Sequence, residues 1–510
     1  MVPQIVRFAA GLGACGALWA TAPAHAREVL LIDATRAVQV NDPFAPSAAG
    51  SDLGREPRGG RRSAASPRPS ATAAAKRRRR SLGQRAVLRA LAKARRERRI
   101  SRAAYRSHRR IYALARSRHR RLRGTRRYEL GSVIGTLEAI ARGRRLTASR
   151  MPALFLILRR NAEFWPSSPF PANRGLVQFR GSELLFEYYA GEGLQLQPLV
   201  NFKKAIAMQG VCVRGDGPCR KRALRKLLAE MVTTSARRGG FRAWEYYFEF
   251  GGGRPPWISG MAQVQGLQAF ARVSELLGEP RLRRYASQGL RAFETPPPVG
   301  VATRGPLGGT HYLQYSFAPR LFIINAFLQA VVGLYDYAKI TGDARALRLH
   351  RAAEPEARRE LPRNDTGDWS TYSFRGAEST REYHELLREI VKSMCGALRR
   401  DIYCDTARRF ADYTTEPAEL ELLGPSSATR GTTTRVRFSL SKLSAVQITI
   451  TRNGKRALNR TATFRRGTGS FAFKPRATGI FEVGLVAKEL RTGRGLRTRS
   501  SGDFESVPAD

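Results

Sequence analysis

The stretch LFIINAFLQAVVGLYDYAKITGDARALRLHRAAE, residues 321–354, decides the fold. An apolar run leads to Gly342-Asp343 and gives way to a second run rich in alanine, leucine and arginine. Glycine supplies the left-handed residue that ends a helix, and an aspartate just beyond it caps the next. The stretch therefore predicts a helix, a tight turn and another helix. The same plan precedes it in SGMAQVQGLQAFARVSELLGEPRLRRYASQGLRAF, residues 259–293, with Gly278-Glu279 at the turn. Repeated helical hairpins in a chain with few strands predict a mainly α architecture, an incomplete (α/α) toroid whose loops surround a cleft.

Working outward from the hairpins, residues 161–415 form the predicted toroid domain. Near its start GLVQFRGSELLFEYYAGEGLQLQPLVNF, residues 175–202, alternates and breaks at Gly181 and again at Gly191-Glu192-Gly193, which predicts a small antiparallel β element. Residues 81–160 read as a basic helical region, with Val87, Leu88, Leu91, Ile111 and Leu114 as a thin apolar stripe among arginines. Residues 27–80 read as a disordered linker, Pro, Gly, Ser, Ala and Arg with little to bury; at most 27–44 adds an ordered arm. Beyond residue 416 short alternating strands are separated by hairpin signals such as Asn453-Gly454. Their spacing predicts an immunoglobulin-like β-sandwich over 416–510. It carries no cluster of acids or histidines, so its expected role is accessory or adhesive.

Residues 1–26 read as an export signal: Arg7, the apolar run FAAGLGACGALWATA, and a small-residue site at Ala24-His25-Ala26. No later stretch approaches the roughly 20 apolar residues of a membrane span. Four cysteines follow the signal in two close pairs, and an oxidising compartment predicts disulfides Cys212–Cys219 and Cys395–Cys404. The chain of 510 residues has a formal charge of +49, and 23 Lys/Arg stand against Glu97 alone between residues 76 and 127. Such a run binds polyanions through point charges and counterion release. The export signal directs the expectation away from nucleic acid and toward anionic polysaccharide or the cell envelope.

The usual catalytic motifs are missing. No GxSxG surrounds a serine, and the scattered histidines, with His311 and His384 alone near the long loops, predict neither a metal nor a cofactor. Glu245 and Glu249 would lie one turn apart if AWEYYFEF were helical, a weak hydrolase dyad. Phenols are the better candidates: Tyr312 and Tyr315 precede one helix, and Tyr372 and Tyr383 flank Arg375 before the next.

At this point PPWISGMAQVQGLQAFARV, YLQYSFAPRLFIINAFLQAVVGLYDYAKITGD and LPRNDTGDWSTYSFRG with REYHE together resemble the C-terminal domain of the D-glucuronyl C5-epimerase family. The likeness covers residues 161–409 and takes in YYAGEGLQLQPLVNF. It implies an exported isomerase that removes and returns the C5 proton of uronic acid residues in a polysaccharide, glucuronate to iduronate. It implies catalytic tyrosines at Tyr315, Tyr372 and Tyr383, and a carboxylate clamp at Arg375. His384, Gln314, Gln197 and Asn201 are the implied further substrate contacts, and a homodimer is possible. Two positions depart from the family: its acid before the first tyrosine is Gln314 here, and its second histidine after Tyr383 is Leu387.

The chemistry suits those residue types. Inverting C5 requires acid/base groups on opposite faces of the ring and a cation where negative charge builds. A free phenol, with a pKa of about 10, is a poor base at neutral pH, and a neighbouring guanidinium favours its phenolate. The same residues leave open a polysaccharide lyase, which expels the C4 substituent after the same proton abstraction, and a binding protein that holds the glycan without turnover.

Overall fold

The computed structural model describes residues 27–33, 36–46 and 73–509, with side chains of the helix opening at Ala73 described from residue 82. The export signal of 1–26 and most of the expected linker lie outside the described residues. The chain divides into two compact units, one comprising residues 1–303, 312–320 and 329–352, the other 304–311, 321–328 and 353–510.

The first unit corrects the linker boundary. Strands β1 (Arg27–Asp33) and β2 (Arg36–Asp42) pair antiparallel, and β1 runs parallel to β3 (Leu176–Phe179), which continues into β4 (Leu185–Tyr189) and β5 (Gly193–Leu196). The order β2-β1-β3-β4-β5 makes the predicted hairpin element part of a five-stranded sheet. Val29, Leu176, Leu185 and Val200 close a small core beneath it. The ordered arm expected within 27–44 is this pair of strands, and so short an apolar segment orders by adding to an existing sheet edge.

Helices α1 (Ala73–Arg96), α2 (Arg102–Arg121), α3 (Gly124–Arg142) and α4 (Met151–Phe164) form the basic region. Val87 and Leu91 of α1 are fully buried, whereas α2 buries only Tyr112 and Ala115. Polar contacts hold α2 down: Tyr112 donates to Glu138 at 2.5 Å, Arg118 donates to the Ala162 carbonyl, and His108 stacks on Phe155 at 4.3 Å.

Helices α5 (Pro198–Arg214) and α6 (Lys221–Thr234) follow, their connection closed by the Cys212–Cys219 disulfide. The most buried helix is α7 (Gly260–Leu277), capped by Ser259, whose hydroxyl accepts from the Ala262 amide at 3.1 Å. The second arm of this first hairpin is short: α8 (Arg281–Ser287) and one 3-10 turn. The second hairpin is α9 (Ile324–Thr341) and α10 (Ala344–Glu360). Gly342 adopts φ +73° and Asp343 Oδ1 accepts from the Arg345 and Ala346 amides at 2.9 and 3.0 Å, the expected stop and start.

The second unit joins α11 (Arg381–Leu398) and α12 (Asp401–Asp412) through Arg399 in the left-handed region and the Cys395–Cys404 disulfide. Leu387, Ile390, Val391 and Met394 form the buried stripe of α11. Two short ribbons come earlier in the chain, β6 (Ala236–Arg238) with β7 (Phe241–Ala243) and β8 (Ala302–Arg304) with β9 (Thr310–Tyr312). The β region beyond α12 holds a three-stranded sheet of β10 (Leu420–Gly424), β12 (Thr434–Leu440) and β15 (Gly467–Phe473). Its five-stranded sheet contains β11 (Ser427–Thr429), β17 (Arg497–Val507), β16 (Gly479–Glu489), β13 (Ser444–Arg452) and β14 (Lys455–Phe464). Alternate residues, among them Val436, Phe438, Ile448, Ile450, Phe471, Val483 and Leu485, enclose one apolar core. At the β13–β14 hairpin Asn453 and Gly454 both have positive φ, 49° and 73°, as the Asn-Gly signal requires.

Candidate active site

Asn364 begins the loop that carries two of the four principal candidates, Tyr372 and Arg375. The Thr371 amide donates to the Asn364 carbonyl and its hydroxyl to Asn364 Oδ1, both at 2.8 Å. Asp365 Oδ1 receives the Gly367 amide at 2.9 Å, and Thr366 and Trp369 exchange bonds, which folds DTGDW into compact turns. The chain then returns on itself. Ser370 accepts from the Ser379 amide, the Tyr372 amide donates to Ala377 at 2.9 Å, and Gly376 donates to Ser373 at 2.8 Å. Arg375 occupies the third position of that last turn with φ +55°, a place normally given to glycine. Its guanidinium is exposed, 5.4 Å from the Phe374 ring centroid.

The first turn of α11 brings Tyr383 to this loop. The Tyr372 and Tyr383 rings meet edge to face with centroids 5.0 Å apart, and Asn325 Nδ2 donates to the Tyr383 carbonyl at 3.1 Å. Two predicted catalytic phenols and the predicted carboxylate clamp thus share one loop and helix start. His384, next in sequence, points elsewhere. It is fully buried, stacked on Trp369 at 3.8 Å, with Nε2 2.9 Å from the Phe410 carbonyl and Nδ1 2.8 Å from the Ser370 hydroxyl. The carbonyl can only accept, so Nε2 carries the proton. Burial lowers its pKa to about 4, so it is neutral near pH 7 and binds the loop to α12. Both of its ring nitrogens are thus engaged within the fold.

The first unit holds the remaining candidates. Tyr315 is fully buried in a segment laid along 257–260: Ser316 donates to the Ile258 carbonyl at 3.0 Å, and Ser259 forms a bridge with Tyr315. Trp257, Phe250 and Phe317 surround its ring at 5.8, 5.7 and 5.2 Å. Gln314 accepts from the Ser259 hydroxyl at 3.0 Å and is buried, which ties it to the start of α7. Asn201 accepts from the Leu185 amide and donates to the Leu185 and Gln197 carbonyls, clamping α5 to β4. Gln197 donates to Glu187 at 3.1 Å and to the Tyr189 hydroxyl at 2.8 Å. Burial, with the Glu187 charge second, drives the Tyr189 phenol well above its ordinary pKa.

Residues 244–250 are not helical. Tyr246 bridges Trp257 and Phe250 bridges Gly253, so the segment is extended and irregular. Glu245 is buried between Arg150, bidentate at 2.7 and 2.8 Å, and Arg238 at 2.7 Å. Burial alone would raise its pKa, but the two guanidiniums outweigh it and hold the carboxylate below its usual range. It is a structural anion, not half of a hydrolytic dyad.

The aromatic surround of Tyr315 has no local sequence pattern of its own. Its signal was the density of rings in AWEYYFEF and PPWIS, whose roles depend on a non-helical path. His311 was noted but not assigned; it is fully buried, stacked on Phe327 at 3.8 Å, with Nε2 3.5 Å from Glu360. Among the described residues no group of three or more His, Cys, Asp or Glu could hold a metal ion.

Residues 238–412 match the family described as D-glucuronyl C5-epimerase C-terminus. An uncharacterized protein of Methanocaldococcus jannaschii is 28% identical over 154 residues, 29% of this chain and 50% of that protein. The D-glucuronyl C5-epimerase of Caenorhabditis elegans is 25% identical over 178 residues, 31% of this chain and 29% of that enzyme. The chain thus spans half or less of these curated relatives. A solved GH76 α-mannanase of Bacteroides thetaiotaomicron overlaps 46% of this chain and 65% of its own at a TM-score of 0.35 and 10% identity.

Proposed function

We propose, from the premise that residues 238–412 match the D-glucuronyl C5-epimerase C-terminal family, that the protein is an exported isomerase that inverts C5 of uronic acid residues in an anionic polysaccharide. The observation that supports the reading most is the pairing of Tyr372 with Tyr383 at 5.0 Å, beside the turn that presents Arg375. One phenolate of this pair takes the C5 proton. An acid on the opposite face must then return a proton to C5, the role the family resemblance gives Tyr315; turnover closes when the phenol formed gives up its proton and that acid regains one. Arg375 grips the substrate carboxylate by a two-pronged contact and neutralises charge as it moves from C5 into that group. We read the helical hairpins as an incomplete (α/α) toroid and the terminal sandwich as immunoglobulin-like.

The test is deuterium incorporation. Uronate polymers incubated with the protein in D₂O are expected to gain deuterium at C5 without forming an ultraviolet-absorbing unsaturated sugar. Tyr383→Phe and Tyr372→Phe should lose about 10²–10⁴-fold in rate, the usual contribution of a positioned acid or base, while glycan binding stays within a few fold. An unsaturated product would identify a lyase. Binding without exchange on any uronate polymer would identify a glycan-holding protein. Undiminished exchange in Tyr383→Phe would remove that residue from the mechanism.

A further inference from the structure

The C-terminal sandwich reaches the tyrosine loop at two points, one on each arm. On the first arm, Lys442 lies in the connection between β12 and β13 and is fully buried. Its ammonium donates to the Tyr413 and Glu416 carbonyls at 3.2 and 2.9 Å and stands 2.8 Å from Asp368 Oδ1. An ammonium has three protons, and these three acceptors use them all. Ser441 supplies a hydroxyl to the other Asp368 oxygen. The Lys442 nitrogen also lies 5.9 Å from the centre of the Trp369 ring, the ring that stacks on His384.

On the second arm, Arg491 follows β16. Its Nε and Nη2 both donate to Glu378 Oε2, at 2.8 and 2.6 Å, in a largely buried pair. Arg491 is itself fixed, because buried Glu489 accepts from the amides of Arg491 and Thr492 at 2.8 Å and folds the segment around them. Glu378 bridges Thr371, and its neighbour Ala377 accepts from the Tyr372 amide.

Asp368 and Glu378 therefore bracket Tyr372 and Arg375. Between them lies a turn that holds a non-glycine residue at φ +55°. Such a conformation persists only where surrounding contacts over-determine it, and loops without such contacts are the most mobile parts of a fold. We infer that the C-terminal sandwich is a working part of the site: Lys442 and Arg491 are positioning residues that hold the two arms of the Tyr372–Arg375 loop in register with Tyr383. The role in turnover rests on the epimerase reading above; the mechanical role does not.

Amide hydrogen exchange on the full chain tests the mechanical role, and C5 deuterium incorporation tests the catalytic one. In Lys442→Met and Arg491→Met, amides of residues 369–379 should exchange at least about tenfold faster, while those of α7 stay unchanged. Turnover should fall at least about tenfold through kcat, with KM moving less than about threefold, since the phenols are displaced rather than removed. The charge exchange Arg491→Glu with Glu378→Arg should restore both readouts to within about threefold, which a general loss of stability would not. Should Lys442→Met fail to fold, Arg491→Met and its charge exchange decide the matter. Unchanged loop exchange in a folded Arg491→Met protein, or failure of the exchanged pair to restore it, overturns the inference. If the unaltered protein shows no C5 exchange, the epimerase reading fails, and the amide measurement still decides the clamp.

Discussion

Arg375 is held in the left-handed region, where a residue with a Cβ is strained by roughly 1–2 kcal/mol. Glycine there would remove the strain but adds about 0.5–1 kcal/mol of unfolded-state entropy. Arg375→Gly should therefore be more stable by up to about 1 kcal/mol in urea melts, and should lose turnover. Arg375→Ala keeps the Cβ, so it should lose turnover without the gain. A destabilised glycine variant would mean that the guanidinium contributes more to the fold than the turn costs. His384 makes a separate prediction. Its folded pKa of about 4 lies below the unfolded value of 6.5, so its stabilising contribution is complete above pH 6.5 and is lost as pH falls toward 4. The loss approaches roughly 3 kcal/mol at 1.36 kcal/mol per unit. Urea melts at pH 7 and pH 4.5 should differ by more in the parent chain than in His384→Gln. The sequence identified Tyr372, Arg375 and Tyr383 through motif order. It could not reveal that His384 turns inward, because adjacent residues on a helix start point about 100° apart and only the packed Trp369 selects which one faces the loop.

Among elements, α7 and α9 approach closely at Gly333. A Cβ there would stand 2.6 Å from Val264 Cγ2 and 3.0 Å from the Gln268 oxygen. Alanine is favoured over glycine within a helix by about 1 kcal/mol, while forcing a methyl into a packed contact costs about 1–3 kcal/mol. The second effect is the larger here, because Val264 is wholly buried and β-branched and has little room to rotate. Gly333→Ala should lose about 1 kcal/mol in denaturant melts, and a gain would show that α7 and α9 can part without penalty. Both helical hairpins were legible because glycine and aspartate chemistry stops and restarts a helix locally. The 244–257 segment was not. Trp244, Tyr246, Phe248 and Trp257 suit a helix as well as an extended wall, and only their mutual stacking, such as Tyr246 on Trp257 at 4.2 Å, decides between the two. The segment 27–42 was legible only as a short ordered arm, because the strand β1 joins besides β2 lies 147 residues on, Val29 against Leu176, beyond any local pattern.

At the scale of the whole molecule the excess of 49 positive charges needs a use, and α2 offers one. Arg102, Arg106, Arg109 and Arg110 are exposed on it, and Arg109 lies 5.6 Å from the ring of Tyr105. In contrast, Arg116 and Arg118 face inward, to Glu138 and the Ala162 carbonyl. The sequence announced the charge but not this division, which depends on which arginines find acceptors on α3 and α4. If the outward group holds stretches of an anionic polymer, its contribution is counterion release and must weaken with salt. Replacing Arg106, Arg109 and Arg110 by glutamine should lower the slope of log affinity against log salt by about 2, taking roughly 0.7 per lost contact as for a flexible single-stranded polyanion. The KM for long uronate polymer should rise with it. On the proposed reading the KM for a tetrasaccharide should not, because so short a ligand fills only the proposed site. An equal rise for both substrates would mean that the arginines act on the site or the fold and not on the polymer, and the charge would then be a matter of solubility only.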